Sequence, residues 1–175
     1  MEDGRPMQRI VGVGDYAVSD QEKQKLITFS LGSCIGLTLF DPAARVGGLL
    51  HAQMPLSRMS PARGEERPGL FVDTGVTALL GTLLELGASR RNLVACIAGA
   101  ASIFNDEDAF DIGRRNYMVA RKLLWKNKIL VAAEDVGGSF SRTMWLEMST
   151  GRTRLKRQGT LLDLHPGSPA GAPVG

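Results

Sequence analysis

The sequence predicts an α+β fold: a mixed or antiparallel β-sheet core, sandwich-like and flanked by helices. Three observations predict it. Six or seven short segments are apolar and β-prone or alternate with period two, while only two carry a helical stripe. The strands also come in consecutive runs rather than in regular strand–helix alternation, which argues against a doubly wound parallel sheet.

The first segment, RIVGVGDYAVS, reads as a short strand and turn. Its GVG is no dinucleotide fingerprint, because no third glycine completes GxGxxG and no helix pattern follows. KLITFSL and CIGLTLF are apolar strands parted by Gly32 and Ser33. DPAA supplies turn chemistry, with Pro42 fixing φ at the second position. RVGGLLHAQM returns as a strand, and Gly47-Gly48 signals a bulge or a close backbone approach. Residues 56–70, charged and holding Pro and Gly, read as a mobile surface loop.

DTGVTALLGTLLELGAS is the clearest helix. Asp73 or Thr74 caps it, Val76, Leu79, Leu80, Leu83 and Leu84 form the stripe, and Gly87 ends it. NLVACIAGA is a buried strand. Asp111 caps a second helix through IGRRNYMVARKLLWKNK, whose basic last turn suits the helix dipole. ILVAAEDV is a further strand. TMWLEMS alternates, with Met144, Leu146 and Met148 on one face, and turns at TGR into the polar strand TRLKR. The domain is expected to span 1–157, and 158–175, rich in Gly, Pro and Ala, to be a flexible tail.

At 175 residues, 43% hydrophobic and 22% charged, the chain suits one globular domain. No apolar run approaches the ~20 residues of a membrane span. MEDGRPMQRI has no apolar stretch of a secretory signal, and two cysteines make no disulfide framework, so a reducing cytoplasm is expected. The net charge of +3 is modest and only 6% of residues are aromatic, which does not suggest nucleic-acid binding. Two cysteines and two histidines without ligand spacing suggest no metal, and nothing in the chain calls for a cofactor.

Candidate chemistry concentrates at Cys34 and His51. With DPAA as a four-residue hairpin loop, Phe40 pairs with Arg45 and Cys34 falls opposite His51. Directly opposed residues share a face with Cβ atoms about 4.5–5.5 Å apart, whereas a one-residue slip parts them. An imidazole beside a thiol generates the thiolate nucleophile and later protonates the leaving amine. The Gly32-Ser33 turn offers amide N–H groups for an oxyanion. The plainer reading of Cys34 is a small core hydrophobe, and that reading holds for Cys96 inside LVACIA. His165 lies in the tail.

LITFSLGSCIGLTLFDPAARVGGLLHAQMP resembles the CheD family of chemoreceptor glutamine deamidases, whose pattern is a Thr, LGSC, an apolar strand, a D-P turn, GG and H-x-x-x-P. The resemblance continues through VDTGVTALLGTLLELGA, IAGAASIF, FDIGRRNYMVARKLL and EDVGGSFSRTMWLEMSTGR, over about residues 8–157. It implies Cys34 as nucleophile, His51 as base and Thr28 as third member, acting on glutamine amides of methyl-accepting chemotaxis receptors. It further implies a fold akin to toxin deamidases and binding to CheC, the phosphatase of phosphorylated CheY. A cytoplasmic monomer is expected. An adaptor that stimulates CheC with little or no deamidation is the alternative. Two departures stand out: Ala98 where the family has glycine, and Ala52-Gln53 where it has an aromatic–apolar pair, a change expected to widen the site or alter which glutamines fit.

Overall fold

A computed structural model describes residues 5–102 and 111–168. Its strands are β1 (Met7–Ile10), β2 (Tyr16–Ser19), β3 (Gln24–Leu31), β4 (Ile35–Asp41), β5 (Val46–Ala52), β6 (Val94–Gly99), β7 (Leu130–Val136), β8 (Arg142–Glu147), β9 (Arg152–Arg157) and β10 (Thr160–His165). The helices are α1 (Pro61–Glu66), α2 (Val72–Glu85) and α3 (Ile112–Lys126). One sheet has the order β1-β3-β8-β9-β10 and the other β2-β5-β4-β6-β7. Each mixes parallel and antiparallel pairs: β1 runs parallel to β3, β6 to β7. The expected α+β class with a mixed, sandwich-like core is what the chain forms.

Two hydrophobic clusters define the layers. Leu26, Leu31, Phe40, Leu49, Met144 and Leu146 pack between the sheets. Ile35, Leu37, Leu50, Leu79, Leu83 and Leu124 pack between the second sheet and helices α2 and α3. The second sheet is thus covered on both faces, which explains why all seven residues of β4 are buried and why it reads as a continuous apolar run. By contrast β8 has one inner face, and its Met144 and Leu146 alternate as expected.

Several expectations are corrected or narrowed. The β4–β5 hairpin turns at 42–45, not at 41–44. Asp41 remains in the ladder opposite Val46, while its buried carboxylate accepts from the N–H groups of Ala43, Ala44 and Ser89 at 2.8–2.9 Å. Arg45, in the left-handed region at φ 56°, closes the turn. Gly47 and Gly48 make no bulge, since the register runs unbroken from Ile35/Ala52 to Asp41/Val46. They allow close approach instead: a Cβ on Gly48 would lie 2.5 Å from Leu79 Cδ1 and 2.8 Å from Ala17 O.

Residues 56–70 are not a loose loop. They form α1 between two 3-10 turns, Ser57–Met59 and Pro68–Leu70, and bury Leu70. Asp73, expected to cap α2, instead accepts from the backbone N–H and hydroxyl of Ser57. That bond ties the segment to α2, which begins at Val72. The expected tail also contains structure, because β10 pairs antiparallel with β9 and Asp163 binds both Arg152 and Arg154. Residues 169–175 of that tail lie outside the described residues. The second helix forms as expected, with the Asp111 carboxylate accepting from Arg114 N–H.

Candidate active site

Thr28 and His51 face each other across the sandwich. Thr28 shares the inner face of β3 with Leu26, and His51 shares the inner face of β5 with Leu49; both are fully buried. Thr28 Oγ1 lies 2.6 Å from His51 Nδ1 and 2.7 Å from the carbonyl oxygen of Val11. A carbonyl only accepts, so the single hydroxyl proton of Thr28 goes to Val11. The Thr28 oxygen must therefore accept from His51 Nδ1–H. This fixes the tautomer of the neutral ring: Nδ1 carries the proton and Nε2 is bare. Nε2 is also buried and, among the described residues, has no hydrogen-bond partner.

Cys34 sits on the connection from β3 in one sheet to β4 in the other. A bulge after Thr28 starts this crossover, since Thr28 pairs with Met144 but Leu31 with Arg142, and Ser30 between them has φ 58°. His51 is not opposite Cys34, as the sequence suggested, but opposite Gly36. The shift is two residues and so preserves the face. Cys34 packs against the inter-sheet cluster that His51 also faces, in a diagonal position where Cα separations are about 7–8 Å.

The carbonyls of this connection are each held from outside. Gly32 O accepts from Ala101 N–H at 2.9 Å and Cys34 O from Ala100 N–H at 2.8 Å. Ser33 O accepts from Asn116 Nδ2 at 2.9 Å. Gly32 N–H already donates to Ser30 O, which removes it from the candidate oxyanion donors. The Ser33 and Cys34 N–H groups bond to no other described residue, although the Cys34 N–H lies against its own sulfur. Gly99 makes this packing possible: with φ 105°, it would place a Cβ 2.2 Å from Cys34 O. Arg142, buried and paired with Asp135 at 2.6 Å, donates to Gly99 O and fixes that strap in turn.

Burial holds both groups neutral at pH 7. It pushes the His51 pKa down to about 4, against a smaller opposing pull from Asp15, and pushes the Cys34 thiol up. The resting arrangement is a thiol and a bare imidazole nitrogen, suited to general-base chemistry.

Asn116 escapes a reading for catalytic residue types, yet α3 places it under the site. Its Nδ2 donates to Ser33 O and, at 3.0 Å, to Gln53 O. A signal was present: the buried face of α3 is Gly113, Asn116, Ala120 and Leu124, so a carboxamide occupies a core position. Cys96 is 2% exposed in the inter-sheet core, as its apolar context suggested. His165 lies on β10 and accepts from Gly167 N–H. Ala52 packs toward the helix layer and Gln53 is exposed, so the Ala52 departure faces away from His51. Among the described residues no group of three or more His, Cys, Asp or Glu gathers as a metal site, and no helix is long and apolar enough to cross a membrane.

The family model described as CheD chemotactic sensory transduction matches residues 53–157. A Solibacter usitatus protein named "Probable chemoreceptor glutamine deamidase CheD" is 48% identical over 162 residues, 93% of this chain and 96% of its own length. The chain belongs to the CheD family. A second CheD relative, from Syntrophus aciditrophicus, is 41% identical over 86% of this chain and 94% of its own. A third, from Thermococcus kodakarensis, is 43% identical over 84% and 91%. The CheD family model begins after His51, but a match over 162 of 175 residues necessarily includes Thr28, Cys34 and His51. Among solved structures, a Neisseria meningitidis protein of family model DUF152 is 11% identical with TM-score 0.44, covering 76% of this chain and 63% of that one.

Proposed function

We propose that this chain is a chemoreceptor glutamine deamidase, hydrolysing selected glutamine side-chain amides of methyl-accepting chemotaxis receptors to glutamate and ammonia. The observation that carries the reading is the Thr28–His51 contact, which leaves Nε2 of a neutral imidazole bare on the face shared with Cys34. The names of the relatives supply the substrate class.

In this scheme Nε2 takes the thiol proton as Cys34 Sγ attacks the glutamine Cδ. The Ser33 and Cys34 N–H groups receive the oxyanion. His51 returns the proton to the amide nitrogen, the C–N bond breaks, and ammonia leaves a thioester. Water then gives a proton to Nε2 as it attacks the thioester; collapse releases the glutamate carboxyl and restores the thiol. Amide and water become acid and ammonia, with no other reactant. Because both groups start neutral, proton transfer accompanies attack. Thr28 holds the ring in the productive tautomer throughout.

The same reading includes a cytoplasmic monomer that docks transiently on receptor helices and also binds CheC. The test is ammonia release, with a mass gain of about one dalton per modified glutamine, from purified receptor cytoplasmic domain. Cys34→Ala and His51→Ala should abolish both. Folded variants that keep the wild-type rate would refute the assignment.

A further inference from the structure

We propose that Asn116 is a positioning residue that holds Cys34 and His51 in register, an inference that rests on the deamidase reading above. The residue is fully buried on α3, and its two Nδ2 protons are both committed. One goes to Ser33 O, immediately before the nucleophile. The other goes to Gln53 O, two residues beyond His51. A single rigid carboxamide therefore ties the connection that carries the sulfur to the exit of the strand that carries the base.

Gly113 brings the helix close enough for this. It lies one turn earlier on the same face, where a Cβ would meet Ala100 O and Ala101 O at 2.8 Å. Ala100 and Ala101 in turn hold the Cys34 and Gly32 carbonyls. The helix thus rests on the strap and the crossover together.

The other end of the side chain separates this role from ordinary core packing. Asn116 Oδ1 is buried and, among the described residues, accepts no hydrogen bond. Burying a carboxamide with an orphan oxygen is unfavourable where leucine would fit the same space. The amide protons account for its presence at a position whose neighbours on the stripe are Gly113, Ala120 and Leu124.

The test compares Asn116→Leu, of similar size without donors, with Asn116→Asp, whose neutral acid keeps one donor. Loss of alignment near the reacting atoms costs on the order of 10–100-fold. Asn116→Leu should lower kcat for receptor deamidation by about that factor with KM within about twofold. Asn116→Asp should lose less and should recover as pH falls from about 8 to 6, as its carboxyl gains the proton it needs to donate. Iodoacetamide mapping supplies a readout that needs no receptor. Released from its clamp, Cys34 becomes better solvated and should alkylate at lower pH than in the wild type, while Cys96 stays unreactive in both variants. A kcat within twofold of wild type in Asn116→Leu, an unmoved Cys34 profile, or Cys96 reacting along with Cys34 would overturn the proposal. Should wild-type protein fail to deamidate receptor, the functional reading falls, and the alkylation comparison still decides the role of Asn116.

Discussion

Replacing Thr28 by valine keeps the shape of a fully buried side chain and removes only its hydroxyl. Two groups lose their partner at once: Val11 O, which accepts from it at 2.7 Å, and His51 Nδ1, which donates to it at 2.6 Å. Each buried group left unsatisfied costs about 1–3 kcal/mol, so Thr28→Val should destabilise the fold by roughly 2–6 kcal/mol. The catalytic effect is separate. Without an acceptor at Nδ1, the ring gains freedom to place its proton on Nε2, the nitrogen that must be bare. Losing the productive tautomer costs about 10⁴ where the orienting group is an anion; a neutral hydroxyl should be worth less, on the order of 10²-fold in kcat, or about 2.7 kcal/mol of barrier. Thr28→Ser restores the hydroxyl and should recover most of the rate. The assay is ammonia release from receptor domain, run beside a urea melt on each variant. Thr28→Val at full wild-type rate while folded would refute the orienting role and the tautomer argument with it.

Acid should destabilise the protein through His51. Its folded pKa of about 4 lies below the unfolded 6.5, so the unfolded state binds the proton first. Stability is full above pH 6.5 and falls by roughly 2–4 kcal/mol as pH drops through 4; His51→Phe should flatten that part of a urea-midpoint series. For the same reason the acid limb of deamidation should lie below pH 5, measurable as kcat/KM, and a limb near 6.5 would contradict the buried neutral ring. Gly99→Ala should unfold or inactivate the protein, because the added Cβ would sit 2.2 Å from Cys34 O. Gly81→Ala, in α2 with no atom of the described residues within 4 Å of the new Cβ, should stabilise it by about 0.5–1 kcal/mol in a thermal melt.

Much of the fold was legible where one physical cause controlled the pattern. The stripe of α2 and the alternation of β8 follow from one buried face each, and the Asp111 cap from local hydrogen bonding. Longer-range causes were harder to read. The chain segment 7–19 reads as one strand and a turn but supplies β1 and β2 to different sheets, a choice made by tertiary pairing between strands of four residues each. Strand β10 was hidden because Leu161 and Leu162 lie just before a Gly/Pro-rich end, while its support comes from Arg152 and Arg154 gripping Asp163 across the β9 ladder. In the site, Cys34 and His51 were visible as residue types, and their common face survived because the hairpin shifted by two residues, an even number. Thr28 became visible only through resemblance, since a strand threonine is ordinarily a surface residue. Asn116 announced itself only by occupying a core position.

Thr28 hangs from one sheet and His51 from the other, so their 2.6 Å contact measures the width of the seam between them. Any slackening of the Met144–Leu146–Leu49 packing that sets this width reaches the imidazole directly, without passing through a substrate or a loop. The Thr28–His51 pair is therefore a gauge of the seam, and turnover should fade on warming before circular dichroism registers any loss of strand.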